Sequence, residues 1–149
     1  MKHLKSSNSQ QSPKRRFSRN VFLYLPALVV ACLLGTYLDL IFVGKSMYSF
    51  PVRPFPDVFS INIAFTLLIL PFCTWLYLFI IGKIPAWSRP VFILLLSILA
   101  SAMEKISVQW GFFNHTDQWK HGYTFVGYFV FLVLIRKIFK WGKGQGEVG

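Results

Sequence analysis

The sequence predicts an all-α protein, an integral membrane four-helix bundle with both termini on the cytoplasmic side. Three observations lead there. The chain of 149 residues is 54% hydrophobic and only 14% charged, whereas an ordinary soluble domain is about 25% charged. Its apolar residues fall in four blocks, each near the roughly 20 residues of helix that cross a hydrocarbon core of about 30 Å. Its basic residues are also distributed unevenly between the two sides those blocks define.

Residues 1–20 interleave Ser, Asn and Gln with Lys2, Lys5, Lys14, Arg15, Arg16 and Arg19, and contain no acid. Such a segment buries too little apolar surface to offset its ordering entropy, so a disordered basic cytoplasmic tail is expected. The transmembrane domain is expected over 21–141. Its first helix spans 21–43, with Pro26 tolerated near the helix start. A second spans 58–81, with Asp57 as N-cap and a kink at Pro71. The third covers 89–110, with Ser88 as cap and Pro90 in the first turn. It is the weakest block, apolar from Val91 to Met103 and mixed from Glu104 onward. The fourth covers 119–139, and 142–149 form a flexible basic tail. No period-two alternation supports a barrel, so the backbone must satisfy its hydrogen bonds as helices.

Orientation follows from Lys and Arg. The N-terminal tail, Lys83, Arg89, Arg136, Lys137, Lys140 and Lys143 place twelve on one side, and Lys45, Arg53, Lys105 and Lys120 place four on the other. The richer side is cytoplasmic, which makes this a multi-pass protein of the cell membrane. Trp87 and Trp141 then fall at the inner interface, and Tyr48, Trp110, Trp119 and Tyr123 at the outer one, where amphipathic rings prefer to sit. The first outer loop holds Pro51, Pro54 and Pro56 and is expected to be stiff and extended against the headgroups.

The net charge of +11 does not indicate nucleic acid, because the cations flank apolar blocks, where anionic headgroups lie. The bilayer is the partner this placement implies, together with a second copy or another membrane protein. Cys32 and Cys73 lie in apolar runs without metal-ligand spacing and read as small packing residues. Val29-Val30-Ala31-Cys32 resembles a lipoprotein cleavage box, but the chain stays apolar beyond it, so an uncleaved helix is expected.

Polar residues inside the blocks are the candidates for function. Asp39, Asn62 and Glu104 all fall in the outer third of the membrane on this reading. Ala27, Ala31, Gly35 and Asp39 recur every four residues, a small-residue stripe for close helix approach. Ser97, Ser101 and Glu104 share one face of the third helix. Arg53, His115, Asp117 and His121 lie in the outer loops. The acids either bond between helices and to the loops or form a proton- or cation-handling site. His115 and His121, six apart in a loop, match no zinc pattern, and no motif for a cofactor or catalytic triad occurs. The leading expectation is a non-enzymatic membrane component that packs with itself or a partner. The alternative is a minimal oligomeric transporter or channel using Asp39 and Glu104, and an intramembrane enzyme comes third.

At Tyr37-Leu38-Asp39, Tyr48-Ser49-Phe50-Pro51-Val52-Arg53-Pro54-Phe55 and Met103-Glu104-Lys105 the chain resembles an uncharacterised family of short four-span membrane proteins from endospore-forming bacteria. The resemblance runs on through Gly111-Phe112-Phe113 to Trp119 and the fourth helix, covering roughly residues 35–140. Phe50 departs from the tyrosine usual before the proline. The resemblance implies a bacterial cytoplasmic membrane and no known activity.

Overall fold

A computed structural model describes residues 13–117 and 119–146. Four helices are long and apolar enough to cross a membrane: Phe22–Gly44, Phe65–Lys83, Ala86–Gln109 and Gly122–Gly144. They belong to α1 (Pro13–Gly44), α2 (Leu70–Lys83) preceded by a π-helical turn at Phe65–Ile69, α3 (Arg89–Gln109) and α4 (His121–Gly146). Two-residue strands β1 (Tyr48–Ser49) and β2 (Asn114–His115) pair antiparallel, Tyr48 with His115 and Ser49 with Asn114. This clasp joins the α1–α2 connection to the α3–α4 connection. The end of the bundle that carries it is called the clasp end below, and the other the termini end.

Several boundaries differ from expectation. Helix α1 begins at Pro13, so 13–20 continue the helix rather than forming a tail, while 1–12 lie outside the described residues. At 1.5 Å per residue its 32 residues extend about 48 Å, well beyond a hydrocarbon core of about 30 Å. Pro26 is therefore interior to a helix, not near its start. It lacks the N–H that would bond one turn back, a loss that neighbouring helices make tolerable within a membrane. Helix α4 likewise runs through Gly146, so 142–146 are helical, and 147–149 lie outside the described residues.

The second helix starts later than expected. Residues 58–61 form turns and bends, and helical backbone begins at 63. Asp57 lies in the preceding turn. The cap is Asn62, whose Oδ1 accepts from the Phe65 N–H at 3.2 Å and whose carbonyl accepts from Thr66 N at 3.2 Å. This satisfies backbone donors that a helix start leaves without partners. Asn62 thus caps the helix. The π turn ends just before Pro71, whose ring has no N–H and crowds the carbonyl one turn back. Widening the helix there relieves that crowding, a local change of pitch at the site of the expected kink. Ser88 stands at the cap position of α3, but its hydroxyl donates to Pro85 O at 3.2 Å instead of capping.

Both helices that lead into the clasp end in the same way. In α1, Met47 N donates to Phe42 O and Ser46 N to Val43 O. In α3, Phe112 N donates to Ser107 O and Gly111 N to Val108 O. These paired bonds place a left-handed residue just past each helix: Ser46 at φ 54° and Gly111 at φ 75°. Each turn delivers the chain directly into its strand.

Helix α1 packs against α2 and α4, and α3 against α4. The core occupies the termini half, where Ala27, Ala31, Tyr77, Leu78, Ile81, Ile93, Leu132 and Ile135 are buried together. The Tyr77 hydroxyl donates to Leu132 O at 3.0 Å, so the phenol carries no open donor into the apolar interior. Ser97 is fully buried, its hydroxyl donating to Ile93 O at 2.8 Å in its own helix. Large apolar side chains such as Leu33, Leu68 and Phe72 cover the exterior, as a surface facing lipid requires.

Gly35 sets the spacing of α1 and α2. A Cβ placed on it would overlap Leu70 Cδ2, while one on Gly127 meets nothing within 4 Å. Leu70 is itself buried and cannot swing clear at no cost. Gly35→Val should therefore lower stability by about 1–3 kcal/mol through overpacking, with Gly127→Val close to neutral. Thermal unfolding in mild detergent measures both, and equal midpoints would contradict the close approach.

Candidate functional site

The intramembrane acids meet the two connections at the clasp end. Asp39, one turn before the end of α1, accepts from the Tyr48 hydroxyl at 2.6 Å through Oδ1. Glu104, on α3, accepts from Trp119 Nε1 at 3.2 Å through Oε1 and from the Thr124 hydroxyl through Oε2. Trp119 Nε1 also lies 3.1 Å from Thr124 Oγ1. Charge-assisted bonds of this kind are stronger than neutral ones, and in a membrane no bulk water competes for them.

Tyr48 is the link between the two acids. Burial, followed by the charge of Asp39, raises its phenol far above the ordinary tyrosine value. The hydroxyl is therefore held protonated as a donor. Glu104 and Tyr128 also act on it electrostatically. Tyr128, on α4, feels both Asp39 and Glu104. The two acids thus belong to one neighbourhood, although they sit on different helices.

Aromatic rings enclose this neighbourhood. Trp119 stands edge-on to Tyr48 at 5.1 Å and to Phe42 at 5.2 Å, and Tyr48 lies 5.0 Å from Phe113 and 5.5 Å from Phe50. Edge-to-face pairs at such distances add attraction beyond the area they bury. Tyr48 and Trp119 therefore point inward to acceptors rather than into an interfacial belt. Trp87, Trp110 and Trp141 remain strongly exposed.

The first connection is curled, not extended. Arg53 gathers it by donating from Nε to Phe59 O at 2.7 Å, from Nη1 to Phe50 O at 2.6 Å and from Nη2 to Pro56 O at 3.2 Å. Phe55 takes φ 52°, the left-handed region, within that curl. On the second connection His115 lies in β2 with its ring 6.4 Å from Phe113, and Asp117 is exposed in the following turn. His121 opens α4, and its side chain falls outside the described residues. Among the described residues no group of three His, Cys, Asp or Glu side chains could hold a metal ion.

Of the sequence candidates, Asp39 and Glu104 come together, with Ala27, Ala31 and Gly35 on the packed side of α1 and Ser101 half-buried on α3. Asn62 and Arg53 instead organise backbone. Thr124 and Tyr128 escaped the sequence reading. Their spacing of four in an apolar helix, which places both on one face, was the available signal.

No family model, curated relative or solved structure matches the chain. The residues quoted for the resemblance divide between this cluster and the surface. Of those residues, Asp39, Tyr48, Phe50, Glu104, Phe113 and Trp119 belong to this cluster, while Tyr37, Val52, Phe55 and Met103 are exposed.

Removing a donor leaves an acid under-satisfied where the surroundings are apolar, which costs about 1–3 kcal/mol. Tyr48→Phe and Thr124→Val should each destabilise by that order in detergent unfolding. Glu104→Lys should sharply reduce the monodisperse protein recovered, and Glu104→Gln should be far milder because the amide keeps shape and an acceptor. Asp117→Lys, on an exposed turn, serves as the control, and recovery equal to that of Glu104→Lys would place Glu104 in water.

Proposed function

We propose that this chain is a small, non-enzymatic component of a cell membrane. It spans the bilayer four times with both termini cytoplasmic and acts by packing with itself or with a partner membrane protein. The observation that carries this reading is the use made of the acids. Asp39 and Glu104 accept bonds from Tyr48, Trp119 and Thr124, so both carboxylates fasten connections to helices. The twelve-to-four distribution of Lys and Arg supports the orientation. The resemblance carried by Asp39, the 48–55 connection and Glu104 supports a bacterial cytoplasmic membrane.

A second reading is a minimal oligomeric transporter or channel in which Asp39 and Glu104 couple to a proton or cation. It is favoured by the convergence of both acids on one ring-lined neighbourhood, where Tyr48, the donor to Asp39, stands edge-on to Trp119, the donor to Glu104.

Asp39→Asn and Glu104→Gln separate the two. Under the assembly reading, both variants change the proteins that co-purify in mild detergent or the oligomer size. Under the transport reading, assembly is normal while ion or proton flux in proteoliposomes is lost. A reporter active only in the cytoplasm, fused after Gly149, should be active, and one active only outside, placed after Pro54, should be active too. A silent C-terminal reporter overturns the orientation.

A further inference from the structure

A groove of about 350 Å³ opens on the side of the bundle between α1 and the π turn, with walls that include Thr36, Leu40, Phe59, Ile61, Thr66 and Leu67. Leu40 and Thr36 lie four and eight residues before the end of α1 at Gly44, so the groove descends roughly 12 Å from the clasp end at 1.5 Å per residue. In a bilayer this is the stretch occupied by the upper part of an acyl chain. The groove is lined by the π turn, and such widened turns are frequent at binding sites.

A cation is bonded to one wall of the groove. Arg53 donates from Nε to the carbonyl of Phe59, a wall residue, at 2.7 Å. A guanidinium has five N–H donors, and Arg53 uses one each on Nε, Nη1 and Nη2 for backbone carbonyls. One N–H on each terminal nitrogen has no acceptor among the described residues. That pair, with a positive charge held rigidly by three bonds, suits the oxygens of a phosphate.

We propose that this groove binds one acidic phospholipid of the surrounding leaflet, with an acyl chain between Leu40 and Leu67 and the headgroup phosphate on Arg53. The inference rests on the four-span reading but not on the roles of Asp39 and Glu104, which lie outside the groove. Arg53 therefore serves two purposes, folding its own connection and presenting charge to lipid.

The test is native mass spectrometry of the full chain in mild detergent, titrated with phosphatidylglycerol or with phosphatidylcholine of the same acyl chains. The wild type should retain one phosphatidylglycerol with an affinity roughly fivefold above phosphatidylcholine, whose choline cancels the phosphate charge, the scale of one cation near an anionic headgroup. Leu67→Trp fills the groove from one wall and Leu40→Trp from the other, so the test survives if one variant fails to fold. Both should lose the bound lipid, and Leu99→Trp, on the exposed surface of α3, should keep it. Arg53→Gln should bring phosphatidylglycerol down to the phosphatidylcholine level. Equal wild-type affinity for the two lipids, or full retention in a folded groove-filling variant, overturns the proposal.

Discussion

A polar group in hydrocarbon must find its partner within the protein, and the architecture of the clasp end follows from that constraint. Asp39 sits in an otherwise apolar stretch of α1, and Glu104 where α3 passes from its apolar run into a mixed one. Their donors come from elsewhere: Tyr48 from the first connection, Trp119 from the second, Thr124 from the next helix. Each acid therefore draws a connecting segment down onto the bundle. The strand pairing, the ring cluster and the inward turn of two aromatic residues are arranged around those bonds.

The bundle is consequently divided along its length. In the termini half, small residues on α1 and branched ones on α2 and α4 pack closely. Contact there rests on shape, with Tyr77 and Ser97 each satisfied by a carbonyl. In the clasp half the helices are joined less by apolar contact than by hydrogen bonds and edge-on rings. Interhelical hydrogen bonds in membranes contribute modestly, about 0.6–2 kcal/mol each; here Thr124 bonds α4 to Glu104 on α3, and Tyr48 and Trp119 add bonds from the connections. Gly35 lies between the two regimes, where a Cβ on α1 would overlap Leu70 of α2.

The sequence makes the four spans legible because a hydrophobic block of near-bilayer length has few other uses. Helix ends were harder to place. Pro13 to Asn20 and Gly142 to Gly146 have the composition of solvated tails, yet they extend helices already nucleated by the spans, and extending a helix is far easier than starting one. Asp57 and Asn62 are both good capping residues, and the choice between them depended on the curl that Arg53 imposes on the intervening chain. Asp39 and Glu104 stood out in the sequence as acids within or at the edge of an apolar run. Their partners did not, because Tyr48 and Trp119 also suit an interface belt, and only the tertiary fold decides which way such rings turn.

The β1–β2 pairing has a consequence for biogenesis. It joins residues 48 and 115, so the first connection emerges from the ribosome long before its partner strand exists. At about 5–20 residues per second that interval is roughly 3–13 s. During it the first helical hairpin can be in the membrane with Tyr48 lacking the cover of Phe113 and Trp119. The second hairpin therefore acts on the first as a late-arriving closure, and a chain halted after α2 would display an unsealed loop, an open strand edge and exposed aromatic surface, features that membrane quality control can recognise.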